Sequence, residues 1–132
     1  ALILLREDGL PCLFYGDYYG IEGEFAQENF QETLDTLLYA RKDLAYGEQT
    51  DYFDNPNCIG WTRSGNEDGA PLAVTISNDA ANSKSMEIGS DWAGQTFYDI
   101  LGNCSDTVTI DEDGWGDLPV SEKSVSVWTI QD

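Results

Sequence analysis

The chain has 132 residues with 25 Asp and Glu against six Lys and Arg, no His, a formal charge of −19, and a 41% hydrophobic share. That is the size and composition of one ordinary globular domain, and no apolar run reaches the roughly 18 residues a membrane helix needs. So acidic a surface repels phosphate backbones and anionic lipid, so neither nucleic acid nor a membrane is expected as a partner.

In chain order, "ALILLREDG" (residues 1–9) has the apolar content of a helix end and the wrong flanks for a signal peptide. It is expected to be the tail of a helix that started earlier, which would make the chain part of something longer. "GLPCLFYGDYYG" (9–20) follows. Its unalternated apolar run, bounded by Gly and Pro, predicts a strand buried on both faces in a β/α unit. From Phe25 to Tyr46, Phe30, Leu34, Leu37, Leu38, Leu44 and Ala45 recur at spacings of three and four, which predicts an amphipathic helix. Asn29 and Glu32 are its expected capping pair, and Gly47 its stop.

After Gly47 the pattern changes to short alternating runs between polar turns. "CIGWTR" (58–63), "PLAVTIS" (71–77), "SMEIG" (85–89), "TFYDI" (96–100), "TVTID" (107–111) and "SVSVWTI" (124–130) read as strands. In PLAVTIS, Leu72, Val74 and Ile76 alternate with Ala73, Thr75 and Ser77, which predicts one buried face. Together these runs predict a mainly β fold, an antiparallel Greek-key β-sandwich. Cys12, Cys58 and Cys104 form no CxxC and are an odd count. They are expected to be free and buried, which fits a reducing, cytoplasmic setting. Without His, mixed Cys/His zinc sites and Ser–His or Cys–His nucleophile pairs are excluded.

GLPCLFYGDYYG, then "ARKDLAYG", "DYFDNPNCIGWTR" and "EDGWGDLPV" before "SVSVWTI", in this order along the whole chain, resemble the C-terminal end of a bacterial α-amylase of glycoside hydrolase family 13, of the liquefying or cytoplasmic type. The resemblance implies that residues 1–46 are the last strand and helix of a (β/α)8 barrel and residues 47–132 a C-terminal β-sandwich domain. It also implies a parent that hydrolyses internal α-1,4 bonds of starch or glycogen. The parent's catalytic carboxylates would stand on earlier barrel strands, so no catalytic residue is expected here and this piece alone is expected to be inactive. Asp17, Glu22 and Glu24 would lie on a loop rim. Its partners would be the rest of the barrel and, in the parent, an α-glucan.

An independent carbohydrate-binding module is the alternative. Trp92 and Trp115, in loop contexts, are the candidate sugar-stacking residues, whereas Trp61 and Trp128 are expected in the core. The resemblance also implies a calcium site in the parent, at positions that here hold Asn57 and Asn78. Both are amides, so no metal is expected in this chain.

Overall fold

In the computed structural model, residues 1–130 are described. Three helices come first: α1 (Leu2–Leu5), α2 (Tyr15–Tyr19) and α3 (Gln31–Asp43). Eight strands follow: β1 (Gln49–Asn55), β2 (Cys58–Arg63), β3 (Leu72–Ser77), β4 (Asn82–Glu87), β5 (Thr96–Asp99), β6 (Thr107–Thr109), β7 (Trp115–Val120) and β8 (Val125–Ile130). Six of them form one antiparallel sheet in the order β1-β2-β3-β8-β5-β6, and β4 pairs with β7 in a separate ribbon. The chain leaves the large sheet after β3, returns for β5 and β6, leaves again for β7, and inserts β8 between β3 and β5. This is the antiparallel β-sandwich that the alternation predicts.

The large sheet is covered on both sides. Leu72 and Val74 of β3, Trp61 of β2 and Val127 of β8 pack against Leu4 and Leu5 of α1, Leu37 and Ala40 of α3, and Leu44 just beyond it. On the opposite face, Ala73, Phe97 and Trp128 pack against Met86 of β4 and Leu118 of β7. Leu72 and Val74 therefore meet helices, and their neighbour Ala73 meets the ribbon. The expected single buried face of β3 is corrected to two, because helix packing covers the side that the ribbon leaves open. Burying each of the leucines in this helix layer contributes about 1.5–3 kcal/mol.

Residues 10–14 are the largest departure from expectation. They form no strand; the chain runs irregularly into α2, leaving Phe14 59% exposed and Leu13 half-buried. A strand must exchange backbone hydrogen bonds with neighbours, and no other strand lies beside this segment among the described residues. The long helix forms as predicted over a shorter span. Phe30 is its N-cap and lies exposed rather than on the inner face, and Asn29 Oδ1 accepts only a 3.4 Å hydrogen bond from the Gln31 amide. Arg41 and Lys42 sit in the last turn, where positive charge favours the helix dipole. Arg41 Nη1 also donates to the Leu4 carbonyl at 2.7 Å, and Trp61 Nε1 donates to the Leu5 carbonyl at 3.3 Å. The end of α1 is thus satisfied by one helix side chain and one sheet side chain.

Two strands escaped the sequence pattern. β1 is an edge strand with four of its seven residues exposed, so its run QTDYFDN lacks alternation. β7 alternates buried Gly116, Leu118 and Val120 with exposed Trp115 and Asp117, but Pro119 and Gly116 disguise it. A proline is tolerated there because the two-stranded ribbon has free edges. Gly60 has a packing role: a Cβ at this position would stand 2.7 Å from Met86 Sδ and 2.9 Å from the Val74 carbonyl. Its absence lets the ribbon approach the sheet.

Candidate functional site

Trp92 and Trp115 lie on neighbouring loops. The Ile88 and Gly89 amides both donate to the Gly114 carbonyl, at 2.8 and 3.2 Å, joining the turn that holds Trp92 to the residue before Trp115. The two rings nevertheless face different surroundings. Trp92 closes a single turn of 3-10 helix (Ser90–Trp92), packs on the inter-sheet core, and donates its indole N–H to the Ser64 carbonyl at 3.1 Å. Trp115 opens β7 opposite Glu87, is 38% exposed, and meets Tyr52 edge-to-face with centroids 6.2 Å apart. Trp115 therefore begins a strand rather than sitting in a loop, and of the pair it presents more surface. Trp61 and Trp128 are both 0% exposed, in the core as expected.

Asn57 and Asn78 are brought together as well. The Asn78 amide donates to the Asn57 carbonyl at 3.2 Å, and both line a cleft of about 190 Å³ with Leu2, Pro56, Ile59 and Ile76. The Asn57 amide in turn donates to Asn55 Oδ1 at 2.9 Å. The two candidate ligands are neutral, the Asn57 carbonyl is already an acceptor, and four of the six lining residues are apolar. That set fits a hard divalent cation poorly, since calcium is normally held by several oxygens that include carboxylates. No grouping of three Asp, Glu, Cys or His side chains suited to a metal occurs among the described residues.

Of the acidic residues expected on a loop rim, Asp17 is engaged locally. Asp17 Oδ1 accepts from Gln27 Nε2 at 2.7 Å, and Glu22 lines an open cleft with Tyr19, Gln27 and Asn29. Tyr18 donates to Asp35 at 2.6 Å.

Three polar arrangements had no clear sequence signal. Asp99, buried at the end of β5, accepts four backbone N–H groups, from Leu101, Asn103, Cys104 and Val127, at 2.9–3.0 Å. Its carboxylate is fully occupied in holding a turn to β8. Lys84, on the inner side of β4, reaches out to Asp54 at 2.5 Å. That hydrogen bond is the main reason the Asp54 carboxyl is held below its ordinary range. Arg6 makes a two-pronged ion pair with Asp51, both contacts at 2.9 Å, with its guanidinium over Phe53 and Trp61 at 5.0 and 5.5 Å.

The cysteines are free, but only Cys58 is buried; Cys104 is intermediate and Cys12 exposed, which corrects the expectation of three buried thiols. Burial pushes the Cys58 thiol up, the direction of an unreactive sulfur.

Residues 72–129 match the family model described as alpha-amylase C-terminal. The chain is 50% identical to an alpha-amylase of Geobacillus stearothermophilus over 130 residues, covering 97% of this chain and 24% of that protein. It is 48% identical to a glucan 1,4-alpha-maltohexaosidase of Bacillus sp. (strain 707), covering 97% of this chain and 25% of that protein. Among solved structures, a gamma-CGTase of alkalophilic Bacillus clarkii superposes with a TM-score of 0.56 over 77% of this chain and 16% of that one, at 21% identity, a likeness of fold. The chain thus spans about a quarter of the length of the curated relatives it matches. By these matches the chain is similar to about a quarter of a bacterial alpha-amylase, and its residues 72–129 to the alpha-amylase C-terminal region.

Proposed function

We propose that this chain is the accessory C-terminal portion of an α-amylase that hydrolyses internal α-1,4-glucosidic bonds of starch or glycogen, and that its own role is structural. The observation that carries this reading is its 50% identity along 97% of its length to one quarter of an alpha-amylase. A second supports it. Ten of the thirteen large apolar side chains left exposed among the described residues precede Gly47, Leu10, Phe25 and Tyr15 foremost. A surface of that kind suits burial against another protein part, and the remainder of the catalytic barrel is the partner that the relatives supply.

The chemistry agrees with a supporting role. Retaining glycosidases flank the scissile bond with two carboxylates roughly 5 Å apart, one of them an acid of raised pKa. Asp99 is saturated by backbone donors, and Asp54 is paired to Lys84 and shifted the opposite way.

The pure chain should release no reducing sugar from soluble starch, and its tryptophan fluorescence should respond to maltooligosaccharides only in the millimolar range or above. Turnover abolished by replacing one acidic residue would overturn the reading. Saturable micromolar binding lost in Trp115→Ala would instead favour an independent carbohydrate-binding module.

A further inference from the structure

The layer between the large sheet and the ribbon is mostly apolar; Lys84 reaches out of it to Asp54 and Asp99 is saturated by backbone donors, and one further polar row crosses it. Gly60 of β2, Thr75 of β3 and Ser126 of β8 lie in register across three adjacent strands. Ala73 and Trp128, the next pair along β3 and β8, point to the same side, because residues two apart on a strand share a face. Ala73 and Trp128 belong to the inter-sheet core, so Thr75 and Ser126 face it too. Thr75, Ser126 and Trp128 are each 0% exposed, and the Thr75 hydroxyl, the Ser126 hydroxyl and the Trp128 indole N–H have no hydrogen-bond partner among the described residues.

Three unpartnered polar atoms on neighbouring positions of one face are not independent accidents. A buried polar group left unpaired costs about 1–3 kcal/mol, and most such groups in native proteins have a partner. Thr75 and Ser126 stand directly opposite each other, with Cβ atoms about 5 Å apart in such a pair. One turned toward the other satisfies two hydroxyls and leaves the indole, a donor only, with nothing to accept its proton.

We propose that Thr75, Ser126 and Trp128 hold one buried water molecule between the two sheets. It accepts from the Trp128 indole N–H and bonds both hydroxyls. That makes three hydrogen bonds, the usual number for an internal water. Thr75 and Ser126 are the smallest hydroxyl-bearing residues, so the water sits between them and Trp128, and Met86 Sδ, which fills the space over Gly60, closes the site on the ribbon side.

The test uses the full chain labelled with 15N and reads the Trp128 indole resonance together with thermal unfolding. The expected result is a cross-peak between water and the Trp128 indole proton with the sign of a long-lived contact, weakened or lost in both Thr75→Val and Ser126→Ala. Thr75→Val preserves the side-chain shape, so its expected effect is roughly a tenfold loss in the folding equilibrium constant from leaving the water short of a partner. A stabilised Thr75→Val protein would mean that the hydroxyl was an unpaid burden with nothing bound, and would overturn the proposal. So would a wild-type spectrum with no water cross-peak, whatever the variants do; a Trp128 shift that moves in Ser126→Ala under those conditions would assign a direct indole-to-serine bond instead.

Discussion

Residues 1–46 and residues 49–130 use apolar side chains in opposite ways. The second stretch consumes nearly all of its own: Trp61, Leu72, Val74, Phe97, Leu118 and Trp128 are buried among strands that pair with one another. The first buries a narrow stripe, Leu4, Leu5, Leu37, Ala40 and Leu44, and leaves Leu10, Phe14, Tyr15, Phe25 and Tyr39 to solvent. The difference teaches that one chain can hold a self-sufficient layer and a layer with a surplus. That surplus is the surface the proposed amylase barrel would bury. The two stretches are not separable in energy, however, because the stripe covers a face of the large sheet that the ribbon does not reach.

Limited proteolysis is the strongest way to break that comparison. Residues 22–30 carry few buried side chains and only one isolated bridge, Ile21 with Gln27. Cleavage should start there and leave a product in which α3 stays on the sandwich. A stable product that begins near Gln49 would show that the stripe contributes little. Trp61→Ala sharpens the point at a single residue. Trp61 fills the space between sheet and helices and holds the Leu5 carbonyl, so its loss should cost about 3–5 kcal/mol in urea unfolding and speed cleavage before residue 30. A loss confined to the sheet, with the helices equally protected, would count against the coupling.

The smallest expected effect concerns pH. The Asp54 carboxyl is held below its ordinary value of 3.8 by Lys84. A lowered folded value gives stability that is complete above 3.8 and is lost as pH falls through the lower value. Tm should therefore drop between about pH 5 and about pH 3 slightly more in the wild type than in Asp54→Asn. The carboxylate is exposed, so salt should shrink the difference. Equal slopes would remove the pair from the account of acid stability.

Much of the sandwich was legible because most core strands carry their own alternation; CIGWTR was bounded to the residue, and Leu72–Ser77, Thr96–Asp99 and Val125–Ile130 within one. By contrast, β4 starts three residues before SMEIG, in the polar run of residues 82–84, and β6 stops two residues short of the end of TVTID. β1 and β7 were not, since an exposed edge has no reason to alternate and Pro119 argues against a strand. The segment before α2 shows the converse failure. An apolar run states that a stretch seeks burial, and whether it does so as a strand depends on which neighbours offer hydrogen bonds. For the site, the aromatic residue types were visible in the sequence, but exposure decides which ring is available, and exposure follows from packing. The Asp99 cradle gave no signal because its partners are backbone amides, which every residue possesses.

The place of β8 governs the order of events during synthesis. It pairs with β3 on one side and β5 on the other, and among the described residues no other strand joins β1-β2-β3 to β5-β6 in the large sheet. Until Val125–Ile130 leave the ribosome, the sheet exists only as two halves with open edges, each able to pair with the wrong strand. Closure must draw together segments some fifty residues apart, a slow step in any chain. The Asp99 carboxylate, which binds the Val127 amide, stands ready at that seam to receive the strand.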